Sequence, residues 1–167
     1  MLKHCVFAVI LAGLVCAGAA VAQDNGNTDQ QAPRTPGETA RCIFESLSFA
    51  YREASGQFER VTRRRLDTIR LVGGGCLNRF LSQMIADACG RTVVAGPAEA
   101  AALGNAMVQA VATGHLGDLA EGREAIKSSF ECRTYAPALQ QGWDEAFERF
   151  ESVVARARIH QSAAANR

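Results

Sequence analysis

Apolar positions along this chain follow two rhythms, and the changes between them set the order of elements. Ile43, Leu47, Ala50, Tyr51, Ala54, Phe58 and Val61 recur at spacings of three and four, which is one helix face turned to a core. Phe44 and Phe49 fall off that stripe, and an interior Gly56 weakens the helix by about 1 kcal/mol. Thr35 can cap the start, Pro36 falls at the first helical position, and Glu38 completes a capping box. Ile69, Leu71 and Val72 then form a short branched run that reads as a buried strand. The helical period returns with Leu77, Phe80, Leu81, Met84, Ile85 and Ala88, in a helix beginning near Cys76 and capped by Gly90.

A second strand, Thr92-Val93-Val94-Ala95, completes a βαβ unit, so the two strands are expected parallel with a right-handed crossover. Gly96-Pro97 closes it. A helix over 98–112 carries Leu103, Met107, Ala110 and Val111 on one side, and Ala100, Ala101 and Gly104 on a face almost without bulk. Thr113-Gly114 ends that helix, and Asp118 with Glu121 caps a shorter one running towards Phe130. Pro137 opens the last helix, with Leu139, Trp143, Phe147, Phe150 and Val154 as its stripe, and the tail after His160 is expected to fray. The order is helix, strand, helix, strand, helix, helix, helix, with no internal repeat.

Between the first strand and its helix stand Gly73, Gly74 and Gly75. Without Cβ atoms they accept positive φ and let a ligand approach the main chain closely. A helix start behind them directs unpaired N–H groups and a positive dipole end at whatever fills the turn. That arrangement suits a nucleotide.

Composition narrows the picture. At 167 residues there is room for one domain, and a net charge of +1 gives no electrostatic case for nucleic acid or membrane. The basic residues are 16 Arg and 2 Lys, dispersed except for Arg63-Arg64-Arg65, which reads as a solvated loop after the first helix, with polyanion binding as the lesser alternative. Residues 1–22 read as a leader: a basic start, an apolar core from Val6 to Val15, and Ala20-Val21-Ala22 before Gln23 in the form signal peptidase cleaves. The core is too short for a confident membrane span, and Val15 before Cys16 does not suit a lipoprotein site. An irregular lead-in over 23–34 follows. Beyond the leader, Cys42, Cys76, Cys89 and Cys132 are widely spaced, which argues against zinc and for buried free thiols. His115 and His160 are isolated, with no sign of a catalytic role.

From Gly73 to Ala112 the blocks Val72-Gly73-Gly74-Gly75-Cys76-Leu77-Asn78-Arg79-Phe80-Leu81, Ala86-Asp87-Ala88-Cys89-Gly90, Ala95-Gly96-Pro97-Ala98-Glu99-Ala100 and Leu103-Gly104-Asn105-Ala106 stand in order. Upstream stand Gly37-Glu38-Thr39-Ala40-Arg41-Cys42-Ile43-Phe44-Glu45-Ser46-Leu47 and Tyr51-Arg52. Downstream stand Ser128-Ser129-Phe130 and Tyr135-Ala136-Pro137. Together they resemble the FGGY carbohydrate kinases, most of all their rhamnulokinase branch, over roughly residues 28–155 of the sequence. Where that family often has Thr in its Glu-Ala-Thr-Ala-Leu-Gly block, this chain has Ala101.

The resemblance implies an α/β fold: part of an actin-like (RNase H-like) ATPase domain, two parallel strands in a βαβ unit with flanking helices. Residues 35–160 would be the last part of the second kinase domain, and 161–167 a frayed tail. It implies ATP as cofactor, with Mg2+ carried on the phosphates, and transfer of the γ-phosphoryl to a sugar hydroxyl. Gly74 carries over as an ATP contact, with Gly73 and Gly75 shaping the turn. Asn78 carries over either as a polar contact to the nucleotide or as a brace of the helix start. Asp87 reads as a ligand-side carboxylate or, more simply, a structural hydrogen-bonder. The family's catalytic Asp, its sugar site and its phosphate-binding loops lie upstream of anything matched here, so no catalytic residue and no metal ligand is assigned.

Further strands of the family's sheet are also unmatched, so marginal stability, self-association or completion by another polypeptide is expected. Two functions follow. One is the ATP-binding end of a truncated or split sugar kinase of rhamnose metabolism, cytoplasmic by role and taking a sugar only if the missing half is supplied. The other is a secreted or periplasmic helical module, or a gene remnant, without ATP binding; it needs the leader to be used. Neither engages nucleic acid, nor a membrane once the leader is removed.

Overall fold

The computed structural model describes residues 33–138 and 141–165, with side chains described through residue 156. The leader 1–22, most of the lead-in, Leu139 and the side chains of His160 and the tail lie outside the described residues. The elements are α1 (Pro36–Thr62), β1 (Thr68–Leu71), a 3₁₀ turn (Gly74–Leu77), α2 (Arg79–Cys89), β2 (Thr92–Ala95), α3 (Ala100–Ala112), α4 (Leu119–Ser129), β3 (Arg133–Tyr135) and α5 (Trp143–Ala165).

The start of α1 is fixed by sidechain–backbone exchange. The Glu38 N–H donates to Thr35 Oγ1 at 3.2 Å, and the Thr35 and Arg34 N–H groups donate to Glu38 Oε2 at 3.2 and 2.7 Å. These donors, Arg34 first, hold the Glu38 carboxyl below its ordinary value. The helix then runs 27 residues through Gly56.

Its buried face is only in part the one the spacing predicts. Ile43 and Val61 are 49% and 84% exposed, whereas Ser48, Phe49 and Ser55 are buried. Ser48 can enter the α1–α2 contact because it is small and its Oγ donates to the Phe44 carbonyl at 2.8 Å. Phe49 is taken by α5: its ring lies 5.6, 5.7 and 5.3 Å from those of Trp143, Phe147 and Phe150. Leu47 and Tyr51 of the predicted stripe do pack on the core, beside Phe44.

β1 and β2 are parallel, Thr68 opposite Thr92 through Leu71 opposite Ala95, and α2 is the crossover. A third strand joins them: β3 pairs antiparallel with β2, giving the order β1-β2-β3. The sequence reading has two strands, because Arg133-Thr134-Tyr135 is too short and too polar to show a period. Leu71, Cys76, Leu81, Ile85, Ala86, Val93 and Ala95 form the core between sheet and α2.

The last helix starts at Trp143, after Gly142 at φ 85°, and not at Pro137. The 137–138 stretch instead serves Asp87, whose buried carboxylate accepts from the Ala138 N–H at 2.8 Å and from Gln83 Nε2 at 2.9 Å. Arg52 ties α5 down: it donates to the Ala88 carbonyl at 3.1 Å and to Asp144 at 2.6 Å, with its guanidinium 4.5 Å from the Phe147 ring centre. The backbone stays helical through Ala165.

Candidate functional site

Two turns meet at the carboxyl ends of the parallel strands, where ligands enter open α/β sheets. β1 leads into Gly73-Gly74-Gly75 and β2 into Gly96-Pro97. The Gly96 N–H donates to the Leu71 carbonyl at 2.8 Å, which holds the second turn against the root of the first. Gly96 has φ 116°, and a Cβ there would sit 3.2 Å from the Glu131 carbonyl oxygen, so this glycine serves backbone packing.

The three consecutive glycines divide by role. Gly73 has φ 82° and ψ −177°, a conformation that disfavours any side chain. Gly74 and Gly75 carry no such φ, and a Cβ at either would meet nothing within 4 Å. Neither backbone conformation nor neighbouring atoms among the described residues calls for glycine there. Bare main chain facing open space is what a closely approaching ligand requires.

After them the chain makes a 3₁₀ turn before the helix proper. The Cys76 N–H donates to the Gly73 carbonyl at 3.0 Å, and the Asn78 N–H to the Gly75 carbonyl at 3.2 Å. Cys76 is buried beneath the turn, and burial pushes its thiol pKa up. The α-helix therefore starts at Arg79 and not near Cys76. Asn78 is its cap, with Oδ1 accepting from the Leu81 N–H at 3.0 Å. Of the two roles open to Asn78, the helix-start brace is the one the geometry displays.

The late helix start leaves Leu77 in the turn, 71% exposed, and puts Phe80 on the first helical turn, 56% exposed. The spacing assigns both to the buried side; instead they flank the glycines, with Phe80 edge-on to Phe44 at 5.9 Å. α3 follows β2 through Gly96-Pro97, and a Cβ on Gly104 would meet nothing within 4 Å. Sequence spacing could not show that Leu77 and Phe80 stand outside, since it counts them in phase with the core.

The remaining candidates separate from this turn. Asp87 is spent on Gln83 and Ala138. His115 lies in an exposed turn with Nδ1 2.9 Å from Thr113 Oγ1. The four cysteines are free, but Cys42 and Cys132 are exposed, so the expectation of burial holds for Cys76 and, in part, Cys89. Burial pushes the Cys89 thiol up to about 12, which removes it as a nucleophile near neutral pH. It borders a groove of about 370 Å³ between α1, the end of α2 and α5, lined by Arg52, Asp87, Arg91, Trp143 and Phe147. Eleven residues of α2 separate that groove from the glycines, about 16 Å at the helical rise. Among the described residues no group of three or more His, Cys, Asp or Glu could hold a metal, and no helix is long and apolar enough to cross a membrane.

Comparison with known proteins gives this turn a context. Residues 3–113 match the FGGY family of carbohydrate kinases, C-terminal domain. The matched span begins inside the stretch 1–22 set apart above as a leader. The chain is 42% identical over 115 residues to a rhamnulokinase of Oceanobacillus iheyensis, covering 69% of this chain and 24% of that protein. It is 40% identical over 127 residues to a rhamnulokinase of Bacteroides thetaiotaomicron, covering 76% and 26%. The chain thus spans about a quarter of the length of these relatives. The crystal structure of xylulose kinase from Rhodospirillum rubrum superposes with a TM-score of 0.56 at 20% identity, over 89% of this chain and 34% of that one, which is a likeness of fold. The chain belongs to the FGGY family of carbohydrate kinases, matching its C-terminal domain.

Proposed function

We propose that this chain is the nucleotide-binding portion of a rhamnulokinase-like sugar kinase, with the Gly73-Gly74-Gly75 turn as the place where ATP is held. The observation that carries this is the open space over Gly74 and Gly75, for which the fold has no need of its own. Gly73 sets the direction of the turn, Gly74 lets the adenosine side of the nucleotide reach the main chain, and Asn78 fixes the helix start behind it.

Phosphoryl transfer depends on positioning and charge stabilisation. The residues of this chain would bind and orient the nucleotide; Mg2+ would arrive on the phosphates. The base that deprotonates the sugar, and the sugar site, belong to the remaining three quarters of the relatives' length, so the chain by itself is proposed to be inactive. ATP-dependent sugar phosphorylation places this function in the cytoplasm.

Titration of the full chain with ADP, followed by Trp143 fluorescence or calorimetry, tests the reading. Gly74→Asp fills the space the adenosine side would take and is expected to weaken ADP binding at least tenfold with the fold retained by circular dichroism. Equal affinity in wild type and variant would remove the site. The second reading, a module without ATP binding, gains support if neither protein binds ADP.

A further inference from the structure

At the other end of the sheet, the loop joining α1 to β1 carries Arg63, Arg64 and Arg65, all exposed. This loop is held at both ends. The Arg63 N–H donates to the Glu59 carbonyl at 2.8 Å, and the Leu66 N–H donates to Glu59 Oε1 at 2.7 Å. From across the sheet, Arg91 donates to the Leu66 carbonyl and to Glu59 Oε2, both at 2.9 Å. Glu59 is thereby neutralised within the wall, and Arg91 and the backbone N–H of Leu66 hold its carboxyl below the ordinary value.

The three guanidinium groups outside this clamp have little to do in the fold. Arg65 reaches Asp67 at 3.6 Å with both side chains more than 80% exposed, a pair that contributes little. Arg63 and Arg64 make no side-chain hydrogen bond or ion pair among the described residues. With Glu59 and Arg91 they line one shallow depression of about 440 Å³. Four arginines against one carboxylate leave this lining three positive charges in excess, in a chain of net +1.

A second observation concerns the backbone. Arg63 sits at φ 54°, ψ 28°, the left-handed cap position where glycine is favoured. A long cationic side chain is kept where the backbone disfavours it, and strain of this kind collects where a side chain is used.

We propose that this depression is an anion site for a ligand carrying two or more linked phosphates, separate from the nucleotide turn. A lone phosphate is met by one or two guanidinium groups. Consecutive Cα atoms 3.8 Å apart spread three of them over a longer anion, and the clamp fixes the loop before the ligand arrives.

The probe is inorganic tripolyphosphate, titrated against the full chain in the presence of saturating adenosine, which carries no phosphate of its own, at low and moderate salt. Binding is expected to survive adenosine, to exceed that of orthophosphate at least tenfold, and to weaken as salt rises. Arg64→Gln with Arg65→Gln, both exposed, should lower affinity at least tenfold without moving Tm. Arg63→Gly should lower affinity while raising Tm, which separates loss of a ligand group from loss of fold. Undiminished binding in these variants, or displacement by adenosine, overturns the proposal. So does tighter binding of a short DNA duplex with the same number of phosphates, which would make the loop a nucleic-acid contact.

Discussion

Two glycines three residues apart or less can serve opposite masters, and stability measurements can tell them apart. Gly73→Ala forces a Cβ into positive φ and should cost about 1–2 kcal/mol. Gly75→Ala meets neither strain nor neighbours and should leave the urea midpoint unchanged, although it narrows the approach to the turn. Tyr135 is a residue of the reverse kind: its hydroxyl is buried without a hydrogen-bond partner among the described residues. Tyr135→Phe removes a desolvated group and should hold stability level or raise it, by up to about 1 kcal/mol. A clear loss in the urea midpoint would mean that the hydroxyl has a partner.

Cys89 yields a pH dependence. Its folded pKa, about 12, lies above the ordinary 9.0 of a free thiol. Below pH 9 the thiol is neutral in both states and the stabilisation is complete. As pH rises from 9 towards 12 the unfolded thiol ionises while the folded one does not, and stability falls by up to about 1.4 kcal/mol per pH unit. Cys89→Ala should flatten that alkaline slope in urea titrations run between pH 8 and 11.

At the scale of elements, α1 shows where propensity and packing part. Gly56 lies inside the helix with nothing within 4 Å of a Cβ, so Gly56→Ala should add about 1 kcal/mol, read as a higher Tm. Phe49 is the opposite case. It joins α1 to Trp143, Phe147 and Phe150 of α5, and Phe49→Ala should cost about 3–5 kcal/mol. In a fold this small that releases α5, and amide exchange over 143–156 should accelerate before the sheet is affected.

The capping box at Thr35, the αL cap at Gly90 and the cap at Asp118 were all legible, because each is a local exchange of hydrogen bonds within four residues. The start of α2 was less so. A 3₁₀ turn and an Asn cap intervene between glycines and helix, and apolar spacing does not register such a turn.

For the molecule as a whole, the exposed apolar residues Ile43, Val61, Leu77, Phe80 and Val108 are the main physical fact. A helix with apolar residues on two faces expects cover on both. Here the cover is partial, leaving Ile43 and Val61 exposed, and the sheet ends at β1 among the described residues. We therefore expect the isolated chain to associate or to bind a hydrophobic dye, with a sedimentation coefficient that rises with concentration. A concentration-independent monomer with a sharp cooperative melt would count against it.

By itself the sequence determined the βαβ unit, the helix caps, the glycine turn and the family resemblance, because each is written in neighbours along the chain. Tertiary structure decided the rest. It buried Phe49 of α1 beside the middle of the better-spaced stripe and left Ile43 and Val61 at its ends outside, since burial goes to the side that other helices reach. It recruited Arg133-Thr134-Tyr135 as a strand, since β2 offered an edge to pair. It also separated Gly73, needed for its φ, from Gly74 and Gly75, where the space stands open. That distinction depends on what surrounds a position in three dimensions, and three identical letters in a row cannot carry it.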